Sequence, residues 1–284
     1  MIVGTHFYEG NAGAMRRQQS AAEALSRLPG VQAVNVQFQT EPWVSLPGIE
    51  MMPALLFDSV AAAGPGGPRK PLTREVFDVL ARLATARGHE YFAFVNSDIL
   101  ILPATLETFE REVRQTYAIS RYDVGDGADG AVLTAGIDMF VVSAEWWRRH
   151  CQRFRRYVLG DACWDNVYTA VMMCHSDGII LNREPIILHE RHRVRWHDAT
   201  STARYNGFLA ALDSRYFSLW CEYWARLEQA RAQGVSAAGQ RALREEVFVW
   251  RRSAPAALRQ SIRSARARLR FRRLRSTLFA AGSR

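Results

Sequence analysis

A chain of 284 residues, 48% apolar and 23% charged, has the composition of a folded globular protein, long enough for one large core or two smaller ones. It contains no run of about 18 apolar residues, which excludes a membrane-spanning helix. The formal charge of +9 is confined to one end: residues 255–284 hold nine Arg and no Asp or Glu, which leaves 28 basic against 28 acidic residues over 1–254. A basic nucleic-acid-binding face is therefore not needed to account for the charge. Cys151, Cys163, Cys174 and Cys221 form no C-x-x-C pair and read as buried free thiols in a reducing cytoplasm. The opening MIVGTHFY lacks the charged and apolar regions of a secretion signal, so a cytoplasmic location is expected.

Met1–Phe7 reads as a first strand and Tyr8–Ala14, with its glycines, as a loop. Ala21, Ala22, Leu25 and Leu28 give Met15–Leu28 a helical apolar face, which Pro29 and Gly30 end. Val31–Phe38 follows as a second strand, and the β-loop-α-β order implies a parallel pair. Residues 39–71 read as irregular, and Ser59–Lys70, rich in Ala, Gly and Pro, as a flexible loop. Thr73 is placed to cap a helix whose apolar face runs from Val76 to Ala84 and which stops at Gly88. Tyr91–Val95 is an unbroken apolar run of the kind found in a strand covered on both faces.

Beyond Pro103, Leu106–Tyr117 reads as a helix. The Gly-rich loop Asp123–Gly130 lacks the Glu of a calcium-binding hand, so a mobile loop is expected. Ala131–Leu133 and Met139–Val142 read as short strands, Glu145–Tyr157 as a helix, Gly160–Asn166 as a turn and Val167–Cys174 as a helix. Ile179–Leu181 and Ile186–Leu188 are brief strands, the second running into His189-Glu190-Arg191-His192. Tyr205–Arg252 is mostly helical with a break near Gly234 and Ser236. Three strands alternating with two helices indicate an α/β domain with a parallel sheet.

A strand buried on both faces that ends in Asn96-Ser97-Asp98 carries a carboxylate to the C-terminal edge of such a sheet, where open α/β folds bind ligands. Asp98 is either a metal- or phosphate-site residue or the cap of an ordinary turn. Asp161 and Asp165, one helical turn apart, are candidate acid/base groups or helix caps. His189 and His192 are candidate ligands or ordinary surface histidines. Arg69, Lys70 and Arg74 precede the central strand and either reach a phosphate or form a solvated basic loop.

Val95-Asn96-Ser97-Asp98-Ile99 after a buried strand, Gly136-Ile137-Asp138-Met139-Phe140, and Gly160–Asn166 followed by Leu188–His192 together resemble the GT-A fold of nucleotide-sugar glycosyltransferases over roughly residues 1–200. The first segment is similar to that fold's D-x-D motif, with Asn96 where the first carboxylate stands. The resemblance implies a Rossmann-like, mostly parallel central sheet flanked by helices in residues 1–204, a helical extension over 205–254 and a basic tail over 255–284. It implies Mn2+ or Mg2+ held by Asp98 with His189 or His192, His189 being the preferred of the two. It also implies a nucleotide-sugar donor, a UDP-sugar, contacted by Thr5, Phe7, Arg74, Asn96 and Ser97. Asp165 or Asp161 is then the base for an inverting transfer, and Asp138 the acceptor of a sugar hydroxyl or a turn residue.

The expected acceptor is a glycan or a lipid-linked glycan. The Arg-rich tail, with Leu258, Ile262, Ala265 and Leu269 on one helical face, reads as a contact for anionic lipid, as a disordered tail or as an RNA-binding one. Two other functions compete: a non-catalytic sugar- or nucleotide-binding scaffold, which Asn96 keeps open, and a nucleotidyltransferase. The second would want a Lys-bearing phosphate loop after the first strand, and Thr5–Arg17 has no Lys.

Overall fold

The computed structural model describes residues 1–40, 44–56, 70–111, 113–125, 130–192 and 212–249. Arg69 with nearly all of the Ser59–Lys70 loop, the middle of the Gly-rich loop, the start of the Tyr205–Arg252 stretch and the Arg-rich tail lie outside them. The chain divides into two compact units, residues 1–161 with 176–193, and residues 162–175 with 194–284. The sequence suggests divisions at 204 and 254 instead. No helix among the described residues is long and apolar enough to cross a membrane.

The first unit holds the whole sheet. Its elements in order are β1 (Ile2–Thr5), α1 (Ala12–Ser26), β2 (Gln32–Phe38), β3 (Glu50–Leu55), α2 (Thr73–Ala86), β4 (Tyr91–Val95), β5 (Ile99–Ile101), α3 (Ala104–Arg111), β6 (Thr116–Val124), β7 (Val132–Ser143) and α4 (Ala144–His150). After the segment that belongs to the second unit come β8 (Ile179–Leu181) and β9 (Ile187–Glu190). The strands run β3-β2-β1-β4-β7-β6-β9-β5, with β8 also pairing with β6. Parallel pairs join β3, β2, β1 and β4, and again β6 with β8 and β9; β7 and β5 run antiparallel to their neighbours. The expected α/β class, a mostly parallel sheet flanked by helices, is what is found.

Helices cover both sides of the central strands, which is why Phe92–Val95 is apolar throughout. On one side Phe77 of α2 lies 5.4 Å from Phe94 and 5.1 Å from Trp147, ring centre to ring centre. On the other, Ala22 and Leu25 of α1 join a core with Val3, Ala93, Val95, Ile99, Met139 and Ile187. β1 and α2 meet so closely that a Cβ on Gly4 would lie 2.2 Å from Leu80 Cδ2, so glycine is the residue that permits this contact.

Several expectations are corrected. Residues 50–55, taken as irregular, pair with β2, because Asn35 and its neighbours offer an open strand edge. The helix expected over Leu106–Tyr117 ends at Arg111, and Thr116–Val124 is a strand whose first five residues are buried. The two short strands around Gly136 are one, β7, bent by register shifts against β6. Thr73 does not cap α2: Leu72 holds that position, Thr73 opens the helix, and its amide donates to the Tyr157 carbonyl at 2.7 Å. The helix expected over Glu145–Tyr157 stops at His150, followed by a single tight turn over Cys151–Arg153. All four cysteines are free as expected, but half-buried rather than buried.

The second unit is helical where described: α5 (Trp164–His175), α6 (Ser214–Ala232), α7 (Ala237–Arg244) and a π turn over Glu245–Val249. Asp213 caps α6 by accepting from the amides of Arg215 and Tyr216. The expected break near Gly234 separates α6 from α7, where Gly234 takes the left-handed conformation with φ +68°.

Candidate metal centre

The chain leaves β4 at Val95 and enters β5 at Ile99, so Asn96, Ser97 and Asp98 form the turn between two strands. β5 pairs antiparallel with β9, and Ile99 stands opposite His189. β9 in turn pairs with β6, and His189 stands opposite Asp123. These two registers bring residues 98, 123 and 189 to one place.

The resulting distances are those of a ligand set. Asp98 Oδ2 lies 3.5 Å from His189 Nε2 and 3.3 Å from His192 Nε2. One ligand atom from each of Asp98, His189 and His192 falls within 4.8 Å of the others. A cation about 2.1 Å from each donor needs neighbouring ligand atoms about 3.0–3.4 Å apart. The two distances to Asp98 lie close to that spacing, and two imidazoles with one carboxylate are donors suited to a divalent transition ion. His189 is 6% exposed, whereas Asp98 at 27% and His192 at 28% face outward, so the open side is accessible.

A second layer supports the first. His189 Nδ1 lies 3.0 Å from Asp123 Oδ1, and Arg121 Nε stands 3.0 Å from the same oxygen. Arg121 also donates to Asp138 Oδ2 at 3.2 Å. The Asn96 side-chain amide donates to Asp138 Oδ1, and the Asn96 main-chain N–H donates to the Asp138 carbonyl at 2.9 Å. Next to His189, Glu190 pairs with Arg16 at 3.2 Å and Arg17 at 3.8 Å, which brings two guanidinium groups of α1 to the end of β9.

Charge coupling follows from this packing. Burial pushes the Asp98 carboxyl up, but hydrogen bonds from His189 and His192 and their charge outweigh it and hold the group below the usual carboxylate range. Burial pulls His189 down, yet its bonds to Asp123 and Asp98 raise it to about 9. Asp138 is raised, chiefly by burial, with the nearby Asp98 charge adding to it against the pull of Arg121.

Of the residues singled out in the sequence, Asp98, His189, His192, Asn96 and Asp138 come together, and Ser97 lies in the same turn. Both histidines approach Asp98, where the sequence preferred one. Thr5 is buried at the end of β1. Phe7 is 1% exposed and packs in the apolar core rather than lining a pocket, because its main chain is tied to β2 through Asn35 and Gln37. Arg74 lies 3.7 Å from Asp78 within α2, and Asp78 also accepts from the Trp147 indole of α4 at 2.8 Å. Asp161 pairs with Lys70 at 3.6 Å. Asp165 lies in the second unit, inside the first turn of α5 rather than at its cap. Sequence inspection missed Arg121 and Asp123; the alternation of Tyr117, Ile119, Arg121 and Asp123 was the available sign of a strand that carries them.

No protein-family model matches the chain, and no curated protein does. Among solved structures it is similar to S. aureus TarS 1–349 in complex with UDP-GlcNAc (TM-score 0.46, 11% identity, covering 78% of this chain and 65% of that one). It is also similar to a glycosyltransferase involved in glycosylation of the major capsid of PBCV-1 (TM-score 0.38, 9% identity, 74% and 98% coverage). A third is the galactosyltransferase LgtC with donor and acceptor sugar analogues (TM-score 0.34, 11% identity, 75% and 96% coverage). The chain thus spans slightly less than two thirds of the TarS chain.

Two outcomes follow from the charges at this centre. His189 is raised above its ordinary 6.5, so its contacts stabilise the metal-free fold fully below about pH 6.5, and that contribution is lost as pH rises through about 9. A cation requires the neutral ring, so its binding expels a proton below that pH and tightens as pH rises. Calorimetric titration with Mn2+ in two buffers of different ionisation enthalpy should give different apparent heats; equal heats would contradict the assignment. Second, Asn96→Asp sets a carboxylate against Asp138 and forces the pair to share a proton. The variant should lose roughly 1–3 kcal/mol, and more at pH 8 than at pH 5, because its folded form holds a proton that its unfolded form releases. Urea unfolding at the two pH values measures this.

Proposed function

We propose that the protein is a cation-dependent glycosyltransferase that moves a sugar from a nucleoside-diphosphate donor, a UDP-sugar, to a glycan or lipid-linked acceptor. The observation that supports this most is the convergence of Asp98, His189 and His192 where the parallel strands β1, β2 and β4 end. A divalent cation bound there supplies electrostatic stabilisation to a diphosphate leaving group. The two imidazoles favour Mn2+ over Mg2+, which prefers an all-oxygen shell. Arg16 and Arg17, at the end of β9, add positive charge on the same strand end as His189 and are suited to phosphate oxygens.

Asp138 is already occupied by Asn96 and Arg121 and holds its proton more firmly than an exposed carboxylate. It therefore suits hydrogen bonding to a sugar hydroxyl better than proton abstraction. For an inverting transfer, Asp165 or Asp161 is the carboxylate proposed to take the acceptor's proton. The presence of Asn96 in place of a carboxylate favours one second reading, a protein that binds the donor without turning it over.

A thermal-shift panel of nucleoside diphosphates with and without Mn2+ tests the proposal. At a hundredfold excess over Kd a ligand adds about 2.7 kcal/mol, or roughly 5–10 °C for a domain of this size. Stabilisation should need both UDP and Mn2+ and should disappear in Asp98→Ala. Stabilisation by no nucleotide would remove both readings. Stabilisation without hydrolysis or transfer of any UDP-sugar would leave the binding protein. If Asp165 is the base, Asp165→Asn keeps the donor-induced shift and lowers turnover by about 100-fold or more; unchanged turnover assigns the role elsewhere.

A further inference from the structure

We propose that Asp123, itself held by Arg121, is a positioning residue that keeps the His189 ring turned with Nδ1–H toward the carboxylate and Nε2 toward the cation. The inference rests on the cation reading of the Asp98 cluster and concerns a residue outside the ligand set. Each imidazole nitrogen of a neutral histidine has one role, donor or acceptor, and the hydrogen bond at one nitrogen decides the role of the other. His189 places Nδ1 3.0 Å from Asp123 Oδ1 and Nε2 3.5 Å from Asp98 Oδ2. A carboxylate can only accept, so Asp123 selects the Nδ1–H form and leaves the Nε2 lone pair for a cation.

The carboxylate is restrained in two ways. The parallel register of β6 and β9 puts residue 123 opposite residue 189 in the backbone. Arg121 stands 3.0 Å from the oxygen that faces the ring and bonds Asp138 with its other arm at 3.2 Å. Asp123 is thereby anchored by a strand and by a guanidinium that cannot lose its proton. His192, by contrast, follows β9 rather than standing within it, so the rigid half of the ligand set is the half that Asp123 holds.

The test compares native protein with Asp123→Asn in two measurements on the metal-free protein and its Mn2+ complex. An Asn amide can donate as well as accept, so it no longer enforces the Nδ1–H form. Mn2+ affinity, read by calorimetry or by loss of the free-ion paramagnetic resonance signal at a temperature where both proteins are folded, should fall about 10–100-fold. Nitrogen spectra of 15N-histidine-labelled protein above pH 9, where the ring is neutral, should show the Nδ1–H form for His189 in the native chain and a shift toward Nε2–H in the variant. Equal Mn2+ affinity in the two proteins overturns the inference, and so does an Nε2–H ring in the native protein, which decides the matter even if the variant does not fold. Absence of Mn2+ binding to the native protein instead overturns the cation reading beneath it, and is seen in the native titration alone.

Discussion

Three residues connect β4 to β5, yet in the sheet those strands are separated by β7, β6 and β9. In a flat sheet four interstrand steps of about 4.8 Å would put β5 about 19 Å from β4. Four Cα steps from Val95 to Ile99 reach at most about 14 Å. The far end of the sheet must therefore curl back toward β4, and the seam closes on the Asn96–Asp98 turn. That closure is the reason a carboxylate from the end of a central strand meets histidines from residues 189 and 192. Every feature of the centre depends on β5 and β9 holding their register, since a slip of one residue would send His189 to the opposite face.

The seam also concentrates charge. Asp123 and Asp138 pair with Arg121, Asp98 and Asp123 with the His189 ring, and Asp98 also with His192. In the metal-free fold a proton on His189 bridges Asp98 and Asp123 and relieves their repulsion. A divalent cation beside Nε2 would do the same for Asp98 with twice the charge, so proton and cation compete for one position. Arg121 joins Asp123, beside His189, to Asp138, beside Asn96.

Much of this was legible in the sequence, and the limits of legibility are physical. The β4 strand and its terminal Asp98 stand out because a strand covered on both faces has no polar alternation to blur it. His189 stands out because a short apolar strand leads into it. What sequence inspection could not supply was which strand lies beside which. β6 was read partly as helix because Leu106, Phe109, Val113 and Tyr117 also fall at helical spacing, and Asp123 was assigned to the Gly-rich loop that begins just beyond it. β3 was missed because it is a half-buried edge strand containing Pro53, a residue that argues against a strand interior. The errors fall on elements whose state is decided by long-range pairing rather than by their own residues.

The amide at position 96 is intelligible from its partner. Asn96 donates through both main chain and side chain to residue 138, and an ionised carboxylate at 96 would have no side-chain donor for an Asp138 also held by Arg121. Position 96 thus closes the β4–β7 edge, and the candidate ligand set is Asp98 with His189 and His192. A set of one carboxylate and two neutral imidazoles carries one fewer negative charge than a set with two carboxylates, so it holds a divalent ion less firmly by itself. The missing charge is what a diphosphate would bring. On the reading proposed above, a diphosphate would add negative charge to the set, so cation and donor would each tighten the binding of the other.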